Sequence, residues 1–229
     1  MSDLVLGIDE AGRGPILGPM VMACVALQPR QAARLTRAGV VDSKRYGAGE
    51  KAHAERSALL PKILEAAAHV EIVVVEVKEI DQRTRRGELN RLEQERAAIL
   101  IDRAPPARRI VADGQKLFQP LRQQHLHLDA LDHGEEQHVA VAAASLVAKV
   151  RRDELFLRIA QRYNHEYGPV RGGGYMNDAT RVFLRAYIER HRRPPPEGRR
   201  SWPWEFARDL LGDDYDPAAE ILVPQLELF

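Results

Sequence analysis

Residues 7–15 read Gly-Ile-Asp-Glu-Ala-Gly-Arg-Gly-Pro and follow the apolar residues 4–6. The apolar residues predict a buried strand, so Asp9 and Glu10 stand where that strand should end. At a strand end both carboxylates can lean towards one exposed site, where they repel each other unless a positive charge separates them. Mg²⁺ prefers such oxygen ligands. A polar surface turn is the alternative for an isolated Asp-Glu pair.

A third carboxylate, Asp113, follows a second short apolar stretch at residues 109–112 and is itself followed by glycine. If the two strands are neighbours, three carboxylates converge at one end of a sheet, which is where α/β sheets favour ligand sites. An ordinary Asp-Gly turn is the alternative. In the acidic loop that follows, Glu135 or Glu136 could instead cap a helix. Asp153 could be either a metal ligand or a surface ion-pair partner.

The composition is that of an ordinary globular protein, with 229 residues, 45% hydrophobic and 29% charged. No apolar run is long enough to span a membrane, and the single cysteine, Cys24, allows no disulfide within the chain. We therefore expect a cytoplasmic protein without membrane contact. The net charge of +1 does not by itself indicate a nucleic-acid-binding protein.

Hydrophobic periodicity predicts the order of the secondary-structure elements. Strands are predicted at residues 4–6, 20–28, 70–77, 109–112 and 125–129, and helices at 31–38, 50–69, 89–103, 116–124, 139–162, 178–191 and 204–211. The charged residues 81–87 are predicted to form a loop. This order predicts an α/β fold with a mixed sheet and helices on its faces, in which the first two strands pair antiparallel.

Five segments of this sequence resemble ribonuclease HII, in the order of that family. They are GIDEAGRGP (7–15), VDSK (41–44), ADG (112–114), AAASLVAKVRRD (142–153) and GGGYMNDATRVFL (172–184). GPILGPM (14–20) and GYMND (174–178) are similar to the archaeal and eukaryotic branch. The resemblance implies a ribonuclease H-like mixed sheet flanked by helices, with a small C-terminal helical extension. We expect a catalytic domain at 1–175, a helical part of the same unit at 176–212 and an acidic tail at 213–229.

The resemblance implies an endoribonuclease that cleaves on the 5′ side of a ribonucleotide, in RNA–DNA hybrids or in duplex DNA that carries single ribonucleotides. The products would be a 3′-hydroxyl and a 5′-phosphate, and the cofactors Mg²⁺ or Mn²⁺. Asp9, Glu10 and Asp113 fall on the family's metal-binding carboxylates. The fourth is normally an Asp ten residues before the Ser of the AAAS segment, and here that position is Glu135, one methylene longer. Two metal ions about 4 Å apart would stabilise both oxygens of an in-line displacement.

The resemblance also assigns the residues that contact substrate. The turn Gly12-Arg13-Gly14 would read the 2′-hydroxyl, the local feature that separates RNA from DNA. Tyr175 would pack on the neighbouring deoxyribose, while Ser43 and Lys44 would hold phosphate. Ribonuclease HIII is an alternative that typically carries Lys at the position of Arg13. A catalytically silent nucleic-acid-binding module is another, and it predicts loss of the carboxylates.

The last residues, Gln-Leu-Glu-Leu-Phe, follow an acidic, proline-containing segment. Exposed apolar side chains at a terminus are costly unless they are covered, so Leu226, Leu228 and Phe229 could fold back onto the domain. The string also resembles the peptide with which bacterial replication and repair proteins bind the β sliding clamp, where Gln225 would supply hydrogen bonds. On that hypothesis the acidic segment is a tether that stays off DNA. We otherwise expect a monomer.

Overall fold

A computed structural model of the chain describes residues 3–40, 47, 49–212 and 215. The strands are β1 (Val5–Ala11), β2 (Met20–Leu27), β3 (His69–Val75), β4 (Arg109–Asp113) and β5 (Leu128–Leu131). The helices are α1 (Pro29–Arg37), α2 (Gly49–Ala66), α3 (Val77–Arg85), α4 (Leu89–Arg103), α5 (Gln115–Phe118), α6 (Gly134–Gln137), α7 (Val139–Tyr167), α8 (Asp178–His191) and α9 (Arg208–Leu211). Short 3-10 turns lie at Gln119–Gln123, Gly172–Gly174 and Glu205–Ala207.

The five strands form one mixed sheet in the order β3-β2-β1-β4-β5. β2 pairs antiparallel with both β1 and β3, whereas β1, β4 and β5 are parallel neighbours. The predicted α/β class with a mixed sheet is therefore confirmed, as is the antiparallel pairing of the first two strands. In the described part of the chain, no helix is long and apolar enough to cross a bilayer.

The described residues pack into two compact units. The first holds those within 3–13, 20–75 and 90–153, which include the whole sheet, and the second holds those within 14–19, 76–89 and 154–215. Each unit has its own apolar core. The core of the first unit gathers apolar side chains from the strands around Phe118, and that of the second gathers the rings of Tyr163, Phe183 and Tyr187.

The start of α7 lies directly against the centre of β1 in the first unit. A Cβ atom added to Gly7 would come within 2.1 Å of the backbone carbon of Ala140. Only glycine on the strand and small side chains on the helix permit this approach, which explains the alanine-rich sequence at residues 140–144. The close contact fixes the following turn of α7, and with it Ser145, beside β1.

Several elements differ from the predictions. The strand predicted at 125–129 lies at Leu128–Leu131, the helix predicted at 116–124 ends at Phe118 and continues as a 3-10 turn, and the helix α6 was not predicted. The larger differences are in β1 and α3. β1 continues through Asp9 and Glu10 to Ala11, because β2 supplies backbone partners along its whole length, with Asp9 opposite Ala23 and Glu10 opposite Met22. The charged residues predicted as a loop at 81–87 belong largely to the helix α3. That helix buries Ile80 and Asp81 in the second unit.

The carboxylate of Asp81 is fully engaged in hydrogen bonds. Oδ2 accepts from the backbone N–H of Arg200 at 2.9 Å, and Oδ1 accepts from the N–H and the hydroxyl of Ser201 at 2.9 and 2.6 Å. These partners lie about 120 residues further along the chain, which is why the local sequence gave no sign of them. A charged residue can be buried when its charge is satisfied in this way.

Candidate active site

Three carboxylates meet where β1 and β4 run side by side in the first unit. The parallel register pairs Ile8 with Ala112, so Asp9 and Asp113 follow at the same level of the sheet. Asp9 is 5% exposed, and its Oδ1 accepts the backbone N–H of Glu10 at 2.7 Å. The sequence-based expectation that Asp9, Glu10 and Asp113 converge agrees with this placement.

Burial and mutual repulsion raise the pKa values of Asp9 and Glu10 in this cluster. The pKa of the Asp9 carboxyl lies well above its usual value, first because of burial and then because Glu10 and Asp113 are negative neighbours. A hydrogen bond from the side chain of Ser145 and the N–H of Glu10 oppose this rise in the pKa. The sequence gives Ser145 no role beyond its place in the AAAS segment, whereas in the structure its side chain forms a hydrogen bond with Asp9.

Glu10 is perturbed in the same direction. Burial raises its pKa to about 7, the carboxylates of Glu93 and Asp113 add to the rise, and the guanidinium of Arg13 opposes it. Its Oε2 atom is buried and has no hydrogen-bond partner among the residues that the structure describes. A buried carboxylate oxygen without a donor is costly, and a bound cation is a common solution. The cluster therefore fits a divalent metal ion.

Glu135 lies in the first turn of α6, one residue after the backbone N–H that contacts Asp113. Asp113 Oδ1 accepts the backbone N–H of Gly134 at 2.8 Å, which places the neighbouring Glu135 beside β4. Glu135 is 4% exposed, and one ligand atom from each of His133, Glu135 and Glu136 lies within 4.8 Å of the other two. Glu135 is thus a buried carboxylate in a possible metal-binding group with His133 and Glu136, and its role as the fourth ligand beside Asp113 stays a prediction.

Asp153, the other candidate for this role, is engaged in ion pairs. Its carboxylate pairs with Lys149 one turn earlier on α7 and with Arg56 of α2 at 3.0 Å, and His53 lies 3.5 Å away. Arg56 is 3% exposed. Two cations already neutralise Asp153, so the geometry favours the ion-pair interpretation of this residue.

The Gly-Arg-Gly turn continues from the end of β1. Gly12 has φ 86°, a backbone conformation that favours glycine. The guanidinium of Arg13 donates from Nη1 to Oε2 of Glu93 and from Nη2 to Oδ1 of Asn90 at 2.8 Å, both on α4. Sequence reasoning missed Glu93 and Asn90. The sequence does contain a signal for Glu93. Its spacing from Ala97 and Leu100 places it on the apolar face of the predicted helix, and all three residues are buried in the structure.

Tyr175 and Gly14 belong to the second unit. The ring of Tyr175 is 3.7 Å from the position that a Cβ of Gly14 would occupy, and 47% of the residue is exposed. The indole N–H of Trp202 donates to the carbonyl of Gly14 at 3.0 Å, a contact that the sequence did not predict.

Three glycines with positive φ, at 172–174, precede Tyr175. A Cβ on Gly172 would collide with the side chain of Asn177, which caps α8 by accepting from Thr180 N–H at 3.1 Å. The glycine-rich segment therefore sets the position of the Tyr175 backbone. The remaining predicted residues, Ser43, Lys44, Gln225, Leu226, Leu228 and Phe229, lie outside the described residues.

Comparison with known proteins gives a consistent result. The sequence model of the family described as Ribonuclease HII matches residues 6–203. The chain is 35% identical over 206 residues to the ribonuclease HII of Methanothermobacter thermautotrophicus, covering 86% of this chain and 95% of that protein.

Two solved structures have the same fold. The crystal structure of ribonuclease H2 from Pyrococcus horikoshii OT3 superposes with a TM-score of 0.76 at 28% identity, covering 91% of this chain and 97% of that one. The structure of the PCNA:RNase HII complex from Archaeoglobus fulgidus gives a TM-score of 0.74 at 28% identity, covering 88% of this chain and 96% of that one.

Proposed function

The chain belongs to the ribonuclease HII family, and from that premise we propose that it hydrolyses the phosphodiester bond on the 5′ side of a ribonucleotide. The substrates are RNA–DNA hybrids and duplex DNA that carries single ribonucleotides. As a member of this family the chain is a metal-dependent endoribonuclease. The observation that carries the proposal is the group of Asp9, Glu10 and Asp113. The pKa values of Asp9 and Glu10 are raised, and a buried oxygen of Glu10 has no hydrogen-bond partner among the described residues, an environment that suits a cation.

The residues that would hold the metal ions are Asp9, Glu10, Asp113 and Glu135. When bound, two Mg²⁺ or Mn²⁺ ions supply the charge that activates a water molecule and stabilises the leaving oxygen. A water oxygen bonds to phosphorus and the bond from phosphorus to the 3′ oxygen breaks, so the products are a 3′-hydroxyl and a 5′-phosphate.

The protein's own part is to keep the carboxylates in place and ionised in the reacting state. Ser145 donates a hydrogen bond to Asp9, and the N–H of Gly134 donates to Asp113, so each carboxylate has one fixed orientation. Groups that orient metal ligands in this way commonly contribute roughly 10- to 100-fold to activity. A cation held there would favour the ionised form of Glu10, whose pKa burial raises to about 7.

Recognition of the ribonucleotide is assigned to the turn at Gly12, Arg13 and Gly14. Glycine on both sides of Arg13 leaves the backbone accessible, so that N–H and carbonyl groups can contact a 2′-hydroxyl. Tyr175 offers an exposed ring face for the adjacent deoxyribose. Ser43 and Lys44 are proposed to bind phosphate on the strength of their VDSK motif.

We further propose that the C-terminal residues Gln225, Leu226, Leu228 and Phe229 bind a sliding clamp. The support is the peptide sequence itself and the solved complex of PCNA with the Archaeoglobus fulgidus enzyme. The sequence favours the bacterial β clamp. A tethered enzyme would encounter ribonucleotides in newly made DNA at a raised effective concentration.

The assay for the proposed activity uses one labelled duplex with a single ribonucleotide and a matched all-DNA duplex. Mg²⁺- or Mn²⁺-dependent cleavage 5′ to the ribonucleotide, with a 3′-hydroxyl product and no cleavage of the all-DNA duplex, is expected. Binding of the ribonucleotide duplex without cleavage in either metal would instead support a silent nucleic-acid-binding module.

A further inference from the structure

The side chain of Arg13 is directed to α4 of its own protein. Nη1 of its guanidinium donates to Glu93, and Nη2 donates to Asn90 at 2.8 Å. The two acceptors are three positions apart on the same helix. A planar guanidinium held at two points has a fixed position and a fixed orientation.

Glu93 is fully buried, with 0% of the residue exposed, and Asn90 is exposed at the surface. Arg13 lies between them, with 38% of its side chain exposed. A fully buried carboxylate is stable only when a cation and hydrogen bonds compensate its desolvation, so the pairing with Arg13 is strongly favoured over separation. Arg13 is therefore anchored at its inner end to the core face of α4, which also carries the buried Ala97 and Leu100.

We propose that Glu93 and Asn90 are positioning residues for ribonucleotide recognition: by holding the Arg13 side chain on α4, they fix the backbone of the Gly12-Arg13-Gly14 turn that reads the 2′-hydroxyl. The inference rests on the proposed role of that turn in ribonucleotide cleavage. A turn with glycine on both sides is intrinsically flexible, because glycine loses more conformational freedom on ordering than any other residue. Anchoring the one side chain in this turn supplies the rigidity that hydrogen-bond recognition requires.

The anchored arrangement differs from the obvious alternative, in which the Arg13 guanidinium binds a substrate phosphate. A guanidinium that served phosphate would need no partner in the protein core, and removal of Glu93 or Asn90 would leave recognition of the 2′ position unchanged. A guanidinium that serves as an anchor makes both α4 residues necessary for selectivity, although neither lies in the turn.

The test measures selectivity at one atom. The substrates are duplexes with a single ribonucleotide and the same duplexes with 2′-fluoro at that sugar, which keeps the size of the substituent and removes its ability to donate a hydrogen bond. The ratio of kcat/KM for the two substrates is determined for the parent enzyme and for Glu93→Gln, Asn90→Ala and Arg13→Lys. Lysine keeps the charge but cannot reach two acceptors as a fork.

We expect the ratio to fall by about tenfold in each variant, the usual effect of losing one charge-assisted hydrogen bond. The Mg²⁺ concentration at half-maximal rate for Asn90→Ala should equal that of the parent, since the hydrogen bond that Asn90 accepts comes from Arg13 and not from a proposed metal ligand. Glu95→Gln is the matched control on α4, because Glu95 pairs with the exposed Arg91, and its ratio should be unchanged.

An unchanged ratio in both Asn90→Ala and Glu93→Gln, with folding verified by thermal unfolding, overturns the positioning role. A loss of metal affinity in Asn90→Ala overturns it too, because the effect would then run through the carboxylates. If the parent enzyme itself fails to prefer the ribonucleotide over the 2′-fluoro sugar, the proposed function of the turn fails instead, so the two failures are distinguishable.

Discussion

At the scale of single residues, the candidate site consists of three carboxylates and the groups that hold them, among them Ser145 and the backbone N–H of Gly134. Asp9, Glu10 and Asp113 each end or extend an apolar strand, so a parallel pairing of the strands brings them together. Ser145 and Glu93 lie within helices among many similar residues. Their contacts with Asp9 and Arg13 depend on how α7 and α4 pack, which no short motif encodes.

Substitutions of Glu135 and of Asp153 should affect the metal requirement differently if Glu135 is the fourth metal ligand. Glu135→Gln should lower turnover by more than about tenfold and raise the Mg²⁺ concentration required, because a ligand would lose its charge. Asp153→Asn should lower the temperature of unfolding through its ion pairs with Arg56 and Lys149, with the metal requirement unchanged. Metal titrations of the cleavage rate distinguish them, and a raised metal requirement in Asp153→Asn alone would reverse the assignment.

The raised pKa of Glu10 predicts that the stabilisation of the fold by Mg²⁺ depends on pH. Because its pKa rises from 4.5 to about 7 on folding, the protonated form stabilises the metal-free fold at low pH, and this contribution is lost as the pH rises through about 7. The shift corresponds to roughly 3 kcal/mol. Added Mg²⁺ should therefore raise the unfolding temperature more at about pH 8 than at about pH 5.

The matched variant for this measurement is Glu10→Gln, which carries no titratable group at that position. Its unfolding temperature without metal should change less between the two pH values than that of the parent. An equal effect of Mg²⁺ on the parent at both pH values would show that the carboxylates do not titrate together with metal binding.

At the scale of elements, periodicity predicted the long helices well and the charged ones poorly. The bounds of α4 and α8 agree with the prediction because their apolar residues recur at helical spacing. The sequence of α3 is mostly charged, which predicts a loop. The helix is packed through Asp81, whose hydrogen-bond partners lie near residue 200. β1 extends beyond the apolar residues 4–6 that predicted it, since backbone pairing with β2 does not require apolar side chains.

For Tyr175, in the loop before α8, we predict different losses of kcat/KM for substitution by alanine and by phenylalanine. Stacking of a ring on a sugar or base is worth about 1–3 kcal/mol, which corresponds to roughly fivefold to 150-fold in rate or affinity. Tyr175→Ala should lose this amount in kcat/KM, while Tyr175→Phe keeps the ring and most of the activity. Met176→Ala, a neighbouring half-exposed residue, is the control. Equal losses in Tyr175→Phe and Tyr175→Ala would assign the effect to the hydroxyl.

At the scale of the whole molecule, the described residues form two packed units, and the sequence does not reveal their interleaved composition. Residues 14–19 and 76–89 lie far from residue 154 in sequence yet pack in the same unit. The division into a catalytic domain at 1–175, a helical part of the same unit at 176–212 and an acidic tail at 213–229 remains a prediction.

The tail makes a prediction that is separate from catalysis. A chain that ends at Pro224 should cleave a single-ribonucleotide duplex as fast as the full chain but lose binding to a β sliding clamp in a direct titration. A parallel titration with PCNA tests the archaeal form of the clamp. Equal binding by both chains, or binding by neither, would contradict the proposed role of residues 225–229.

The central claim is that the carboxylates of Asp9, Glu10 and Asp113 on β1 and β4 hold the metal ions required for cleavage next to a ribonucleotide. The most direct measurement is the single-turnover cleavage rate of a single-ribonucleotide duplex by the parent, Asp9→Asn and Asp113→Asn, each confirmed to be folded. We predict that both variants lose more than the roughly 10- to 100-fold that supporting groups contribute. A rate near that of the parent in either folded variant would contradict the claim.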